Sequence, residues 1–397
     1  MFAERYIQNN VVYGPFIQQE SSSSLSMVIT IPCLNEPEII LTLESLWDCE
    51  PIASHCEVIV CVNDSESSPE EVKAFNRETY DQLMQWKVND RPGLVLCPIY
   101  APSVKAKFAG AGMARKIVMD EAVRRLAAVN KPEGVIVGLD SDCLVSKNYL
   151  QEIERVFTSR SSCFAATLNF RHRVEEMNDP RQQAGIRLYE DYLHYYKQAL
   201  EYTGFPHSIY TIGSAFAVRA EAYIKQGGMN RRQAGEDFYF LNKLTHLGKL
   251  TEITEAWVYP SARVSNRVPF GTGAAMTKWM NQTDDLALTY RFQAFRDLKH
   301  LFDHTDDFYK SKASSYSEVL SLLPSTVQDY LSSVSFEARI EEINANSATL
   351  ASFRKRFYQV FDAFQALKFL NRVHEYTYSE QDLYEAITEL REAEKEG

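Results

Sequence analysis

The sequence has no CxxC pair, no run of eighteen apolar residues and no excess of basic residues. Each absence removes a class of function. Without CxxC spacing, Cys33, Cys49, Cys56, Cys61, Cys97, Cys143 and Cys163 form neither a zinc motif nor a thioredoxin-type pair. Their odd number and strand-like neighbours read instead as small apolar thiols in a reducing compartment. Without a long apolar run no membrane-spanning helix is expected, and no apolar stretch of signal-peptide length follows a basic region near the N-terminus. The expected location is the cytoplasm. The formal net charge of -11 argues against nucleic acid or an anionic membrane as the main partner, so an anionic substrate would need a metal ion or a few placed arginines. No internal repeat or sustained heptad pattern is present.

What is present is a 397-residue globular composition, 45% apolar and 24% charged, long enough for one large domain or two. Its focal stretch runs from Gly134 to Cys143, an apolar run ending in Asp140-Ser141-Asp142. The run is short, β-branched and opened by Lys131-Pro132, which predicts a buried strand with the two aspartates at its C-terminal end. Open α/β sheets bind ligands just beyond such ends, and paired hard oxygen donors suit a divalent cation carrying a diphosphate. Taken alone, the same pair also suits a solvated turn.

The surrounding pattern favours a site. Apolar strands are predicted at Ser26 to Leu34, broken by Pro32, at Cys56 to Val62 and at Gly93 to Ile99, with helices between them. Their polar ends, Asn35/Glu36 and Asn63/Asp64, would converge with Asp140/Asp142 on one rim of a mostly parallel, doubly wound sheet. Further on come a strand at Phe164 to Phe170, a helix from about Pro180 to Glu201 and a strand at Tyr210 to Val218. Glu236-Asp237 then opens an aromatic helix, where negative charge also stabilises a helix N-terminus. A last strand near Ala256 to Pro260 leads into a loop holding Arg263 and Arg267. From about Trp279 the pattern is helical. The expected division is a flexible lead-in at 1–25, an α/β catalytic domain at 26–278 and a helical region at 279–397. Three roles are open to that region: packing on the catalytic domain, a homodimer interface, or acceptor binding.

Four segments in this order, Ile31-Pro32-Cys33-Leu34-Asn35-Glu36, Val62-Asn63-Asp64-Ser65, Asp140-Ser141-Asp142 and Gly235-Glu236-Asp237, make the first 275 residues resemble a GT-A nucleotide-sugar glycosyltransferase. The likeness is greatest to the large family 2 of inverting enzymes. It implies a GT-A fold, Rossmann-like and mostly parallel, with a C-terminal all-α extension. It also implies a nucleotide-sugar donor and a sugar or small polar acceptor. Pro32, Asn35 and Glu36 would line the donor, and Asn63 and Asp64 the nucleobase. Asp142 would hold Mn²⁺ or Mg²⁺ against the diphosphate, with Asp140 touching the ribose or the metal through water. Asp237 would be the general base and Glu236 would orient the acceptor or the neighbouring loop. Arg115 would stand near the nucleotide, while Arg263 and Arg267 would clamp phosphate.

The sequence also departs from the family. Asn63-Asp64 stands where two aspartates are usual, no Gln-x-x-Arg-Trp segment is found, and the loop from Arg263 to Gly273 offers no histidine to a metal. A retaining enzyme with the same fold, a nucleotidyltransferase and a non-catalytic GT-A-like scaffold are the competing readings. The nucleotidyltransferase would want a glycine-rich basic loop after the first strand, and Pro32 to Glu36 has none.

Overall fold

The computed structural model describes residues 2–86, 91–264, 271–310 and 313–396. The chain divides into two compact units, one formed by Met1–Asp179 with Thr211–Thr277 and the other by Pro180–Tyr210 with Lys278–Gly397. The boundary differs from the expected one, since the helix beginning at Pro180 belongs to the second unit.

In the first unit, β-branched runs between turn residues make the strands. In chain order its elements are α1 (Glu4–Asn10), β1 (Leu25–Cys33), α2 (Ile39–Trp47), β2 (His55–Ser65), α3 (Glu70–Gln85), β3 (Leu94–Val104), α4 (Ala111–Ala128) and β4 (Val135–Gly138). After these come β5 (Leu144–Val145), α5 (Tyr149–Ser159) and β6 (Ala165–Phe170). With α6 (Pro180–Tyr202) lying in the second unit, the first resumes at β7 (Phe216–Arg219), α7 (Ala220–Lys225), α8 (Glu236–Thr245) and β8 (Thr251–Tyr259). The eight strands form one sheet in the order β3-β2-β1-β4-β7-β6-β8-β5. The pairs β2/β3, β1/β2, β1/β4 and β6/β8 are parallel, whereas β7 runs antiparallel to β4 and β6, and β5 to β8. The carboxyl ends of β1, β2, β3, β4, β6 and β8 therefore share one rim, joined there by the amino end of β7.

Two predicted strand limits change. β1 runs through Pro32 to Cys33, because the β4 ladder stops at Thr30 and the missing proline N–H interrupts nothing on that side. The strand predicted from Tyr210 begins only at Phe216. Upstream, the Gly213 carbonyl accepts from Arg115 Nη1 at 2.8 Å, which bends the segment away from a regular ladder.

The core packs Ile29, Ile31, Val58, Val60 and Val137 against α2 and α5 side chains such as Leu43 and Ile153. Each such side chain contributes about 1.5–3 kcal/mol on burial. On another side α4 packs on β1, β2 and β4 and is buried along nearly its whole length, charged residues included. Those charges are paired: Arg125 grips Glu57 through two bonds of 2.8 and 2.7 Å, and Lys116 meets Asp120 at 2.9 Å. The N-terminal segment, expected to be a flexible lead-in, lies against α4. Tyr6 is buried and donates to Asp120 at 2.8 Å, and the Phe16 and Ile17 N–H groups donate to Glu121.

The second unit is helical. After α9 (Thr272–Met280), which crosses the boundary, it contains β9 (Leu288–Thr289), α10 (Phe292–Asp303), α11 (Ala313–Leu322), α12 (Ser325–Ser333), α13 (Phe336–Ala345), α14 (Leu350–Val360), α15 (Ala363–Tyr376), β10 (Gln381–Asp382) and α16 (Leu383–Glu396). The predicted apolar stripe is shared between α14 and α15, since Asp362 caps α15 by accepting from Gln365 N–H and ends the preceding helix. Phe353, Phe357 and Phe361 are fully buried, with edge contacts such as Phe302 to Phe361 at 5.5 Å. No described helix is long and apolar enough to cross a membrane.

Candidate functional site

The rim collects the predicted residues, and Arg115 is the centre of what it collects. Arg115 lies in the first turns of α4 with its side chain 5% exposed. Its Nη2 meets Asp140 at 2.9 Å, its Nε meets Glu236 at 3.1 Å and its Nη1 donates to the Gly213 carbonyl. A guanidinium with its donors in a fixed plane can satisfy three acceptors from three elements at once. Burial acts to lower its pKa, but the charges of Asp140, Glu236 and Asp237 outweigh burial and hold it above the ordinary value. Gly213 has to be glycine here: a Cβ would sit 2.5 Å from Arg115 Nη2 and 3.0 Å from Asp237 Oδ2.

Asp237 stands at the first turn of α8 and accepts from the Phe238 N–H at 2.7 Å. The residue keeps some solvent contact while its carboxyl is enclosed by protein atoms. Burial, then the charge of Glu236, push the carboxyl up to about 6, against the pull of Arg115 and the Phe238 N–H. The α8 macrodipole favours both Glu236 and Asp237 at that end. Glu236 is buried, and its backbone carbonyl accepts from Asn230.

Asp140 and Asp142 follow β4 in a tight turn closed by the Cys143 N–H to the Asp140 carbonyl at 3.2 Å. Asp142 meets Arg263 Nη2 at 3.3 Å. Arg263, just after β8, also makes a two-bond grip on Glu36 and lies 3.7 Å from Glu38. Arg263 is thus engaged by carboxylates, and the resemblance's phosphate clamp would require it to change partners. Arg267 lies outside the described residues. Glu36 is wholly buried and caps the following turn by accepting from the Glu38 N–H at 2.9 Å.

Beyond β1 and β2, Asn76 of α3 ties two strand ends together, accepting from the Asn35 N–H and donating to the Asn63 carbonyl, both at 2.9 Å. Asp64 is anchored to β3, accepting from Tyr100 Oη and the Ser103 N–H. The Asn63 Oδ1 is buried with no hydrogen-bond partner. Pro32 sits inside β1, and Asn35, just beyond the strand, has a φ of +49°.

Among the described residues no three His, Cys, Asp or Glu side chains stand close enough to hold an ion unaided. Asp140 and Asp142 are two hard oxygen donors, each paired with an arginine, Asp140 with Arg115 and Asp142 with Arg263, and a dication held there would need further ligands. Asp140 is 37% exposed on its side chain and Asp142 22%, so each can be reached from solution.

A further polar strand end, Arg171-His172-Arg173, follows β6 on the same rim. His172 is buried 3.2 Å from Thr272 Oγ1, and Arg171 lies over the rings of Trp257 and Tyr259. The rule that flagged the other strand ends applied equally to this one. The seven cysteines are buried free thiols, and burial pushes Cys49 and Cys97 up to about 12.

No family model matches the sequence, and no curated protein matches it. Among solved structures, residues 1–349 of TarS from S. aureus in complex with UDP-GlcNAc align at a TM-score of 0.42 and 14% identity, covering 85% of this chain and 92% of that one. The mannosyltransferase PcManGT from Pyrobaculum calidifontis, in complex with GDP-Man and Mn²⁺, aligns at 0.38 and 13%, covering 94% and 86%. The glucosyl-3-phosphoglycerate synthase of Mycobacterium tuberculosis aligns at 0.34 and 14%, covering 65% and 78%. At these values the likenesses add nothing to the geometry above. The mixed, mainly parallel α/β sheet with its polar strand ends on one rim, and the helical C-terminal region, are the layout expected from the sequence.

Proposed function

We propose that this chain is an inverting glycosyltransferase that moves a hexose from a nucleotide-sugar donor to a sugar or small polar acceptor, with Mn²⁺ or Mg²⁺. One observation carries the reading: Arg115 joins Asp140 to Glu236, so carboxylates from two distant motifs occupy one site. In this reading Asn35, Asn63 and Asp64 hold the nucleoside. Asp142, with Asp140, would hold the metal, which when bound would neutralise charge on the departing diphosphate. Asp237 takes the proton of an acceptor hydroxyl as its oxygen bonds to the anomeric carbon and the carbon–oxygen bond to the diphosphate breaks on the opposite face. Glu236, fixed by Arg115, orients the acceptor side. Arg263 holds Glu36 beside Asp142 and so shapes the donor end. The reading assigns the helical region to packing and homodimer formation. The buried free thiols support a reducing compartment, and we take it to be the cytoplasm.

The test is thermal stability against nucleoside diphosphates and nucleotide sugars, each with Mn²⁺ or with EDTA. A ligand at 100 times its dissociation constant stabilises by about 2.7 kcal/mol. The expected result is a metal-dependent rise with one nucleotide, lost in Asp142→Ala. No rise with any nucleotide in the presence of metal would sink the reading.

A further inference from the structure

Although the chain carries a formal charge of -11, one lip of the site is basic and unneutralised. Lys105 and Lys107 lie in the loop between β3 and α4, and Arg231 and Arg232 in the loop before α8. The loops touch along their backbones. The Ala111 N–H donates to the Gln233 carbonyl at 3.3 Å, and a Cβ on Gly112 would lie 2.3 Å from the Arg232 carbonyl. Lys107 Nζ and Arg231 Cζ sit over the same Phe108 ring at 4.7 and 5.6 Å, and Arg232 Cζ lies 3.6 Å from the centre of the Tyr239 ring. Lys105, Lys107, Arg231 and Arg232 are exposed, and among the described residues none of the four heads makes a hydrogen bond or an ion pair. The aromatic faces hold the cations while leaving the in-plane guanidinium donors unspent.

The position of this lip says which ligand it faces. Tyr239 is two residues beyond Asp237 in the first turn of α8, and a Cβ on Gly112 would lie 3.0 Å from the Glu236 Cβ. The lip flanks the loop that leads into Asp237 and its cations are unspent, whereas Arg115 and Arg263 spend theirs on carboxylates. We propose that the acceptor is a phosphate-bearing sugar or polyol, with its phosphate on Lys105, Lys107, Arg231 and Arg232 and its hydroxyl toward Asp237. This rests on the transferase reading for the role of Asp237. Forked guanidinium donors match phosphate oxygens, and a positive lip in a negative protein raises the local concentration of such a substrate.

The experiment uses the full chain in EDTA at low salt, with end-labelled inorganic polyphosphate followed by fluorescence anisotropy. Wild type is expected to bind, and Arg231→Gln/Arg232→Gln and Lys105→Ala/Lys107→Ala are each expected to weaken binding about tenfold. Both double variants should melt within a few degrees of wild type, since the altered heads are exposed and lose only ring contacts, not hydrogen bonds or ion pairs. Excess UDP or GDP should leave the probe in place. Absence of binding, binding that neither variant weakens, or displacement by the nucleotide would each overturn the proposal, the last by giving the lip to the donor. Nucleotide-induced stabilisation with Mn²⁺ is read separately, so loss of the transferase reading and loss of this one are told apart.

Discussion

Replacing Arg115 by methionine removes the charge that joins three elements of the rim while keeping much of the side-chain volume. The bond to Asp140 is a minor part of the cost: that carboxylate is more than a third exposed, and water replaces its partner for about 1 kcal/mol or less. Glu236 is different, because its side chain is 4% exposed and it would be left as a buried carboxylate with no cation. Breaking a buried pair from one side costs about 3–5 kcal/mol, to which the bare Gly213 carbonyl adds. The favourable dipole of α8 offsets some of this, so a loss of about 3 kcal/mol is expected at neutral pH. Urea denaturation of both proteins at neutral pH, with EDTA present, reads the gap directly. A variant as stable as wild type would refute the account of Arg115 as the partner of a buried charge.

Asp237→Asn is expected to abolish transfer while leaving metal-dependent nucleotide stabilisation intact, which separates a base from a structural carboxylate. The same variant should be more stable than wild type in EDTA at pH 8 and not at pH 4, because a carboxyl raised to about 6 loses stability as pH rises toward that value. The ceiling is about 3 kcal/mol, lowered by the residue's partial exposure, and thermal melts at the two pH values measure it. Gly213→Ala should cost about 1–3 kcal/mol, since its Cβ meets a guanidinium pinned by two carboxylates. A neutral result in the same urea assay would mean that Arg115 has room to move.

The alternation of apolar runs with polar ends is a local property of the chain, and it was enough to determine much of this protein. Strands with two-residue periodicity or full burial can satisfy their backbone only in a sheet, and helices between them force parallel crossovers. Hence β1, β2, β3, β4, β6 and α4, and the convergence of Asn35, Asn63 and Asp140 on one rim, were legible from sequence. The early strand predicted at Tyr210 and the uninterrupted look of the helical stripe near Phe361 were not read correctly in detail. Their limits are set by a carbonyl given to Arg115 and by the Asp362 cap. What only the tertiary structure decided is who neutralises whom. Arg115 and Arg263 read equally well as phosphate ligands until their partners, Asp140 with Glu236 and Glu36 with Asp142, are known. Likewise the lysines before α4 and the arginines before α8 are more than a hundred residues apart, and nothing local marks them as one lip. Charge pairing depends on distances of 3–4 Å between segments remote in sequence, and steep dependence on distance and burial is what a linear pattern does not carry.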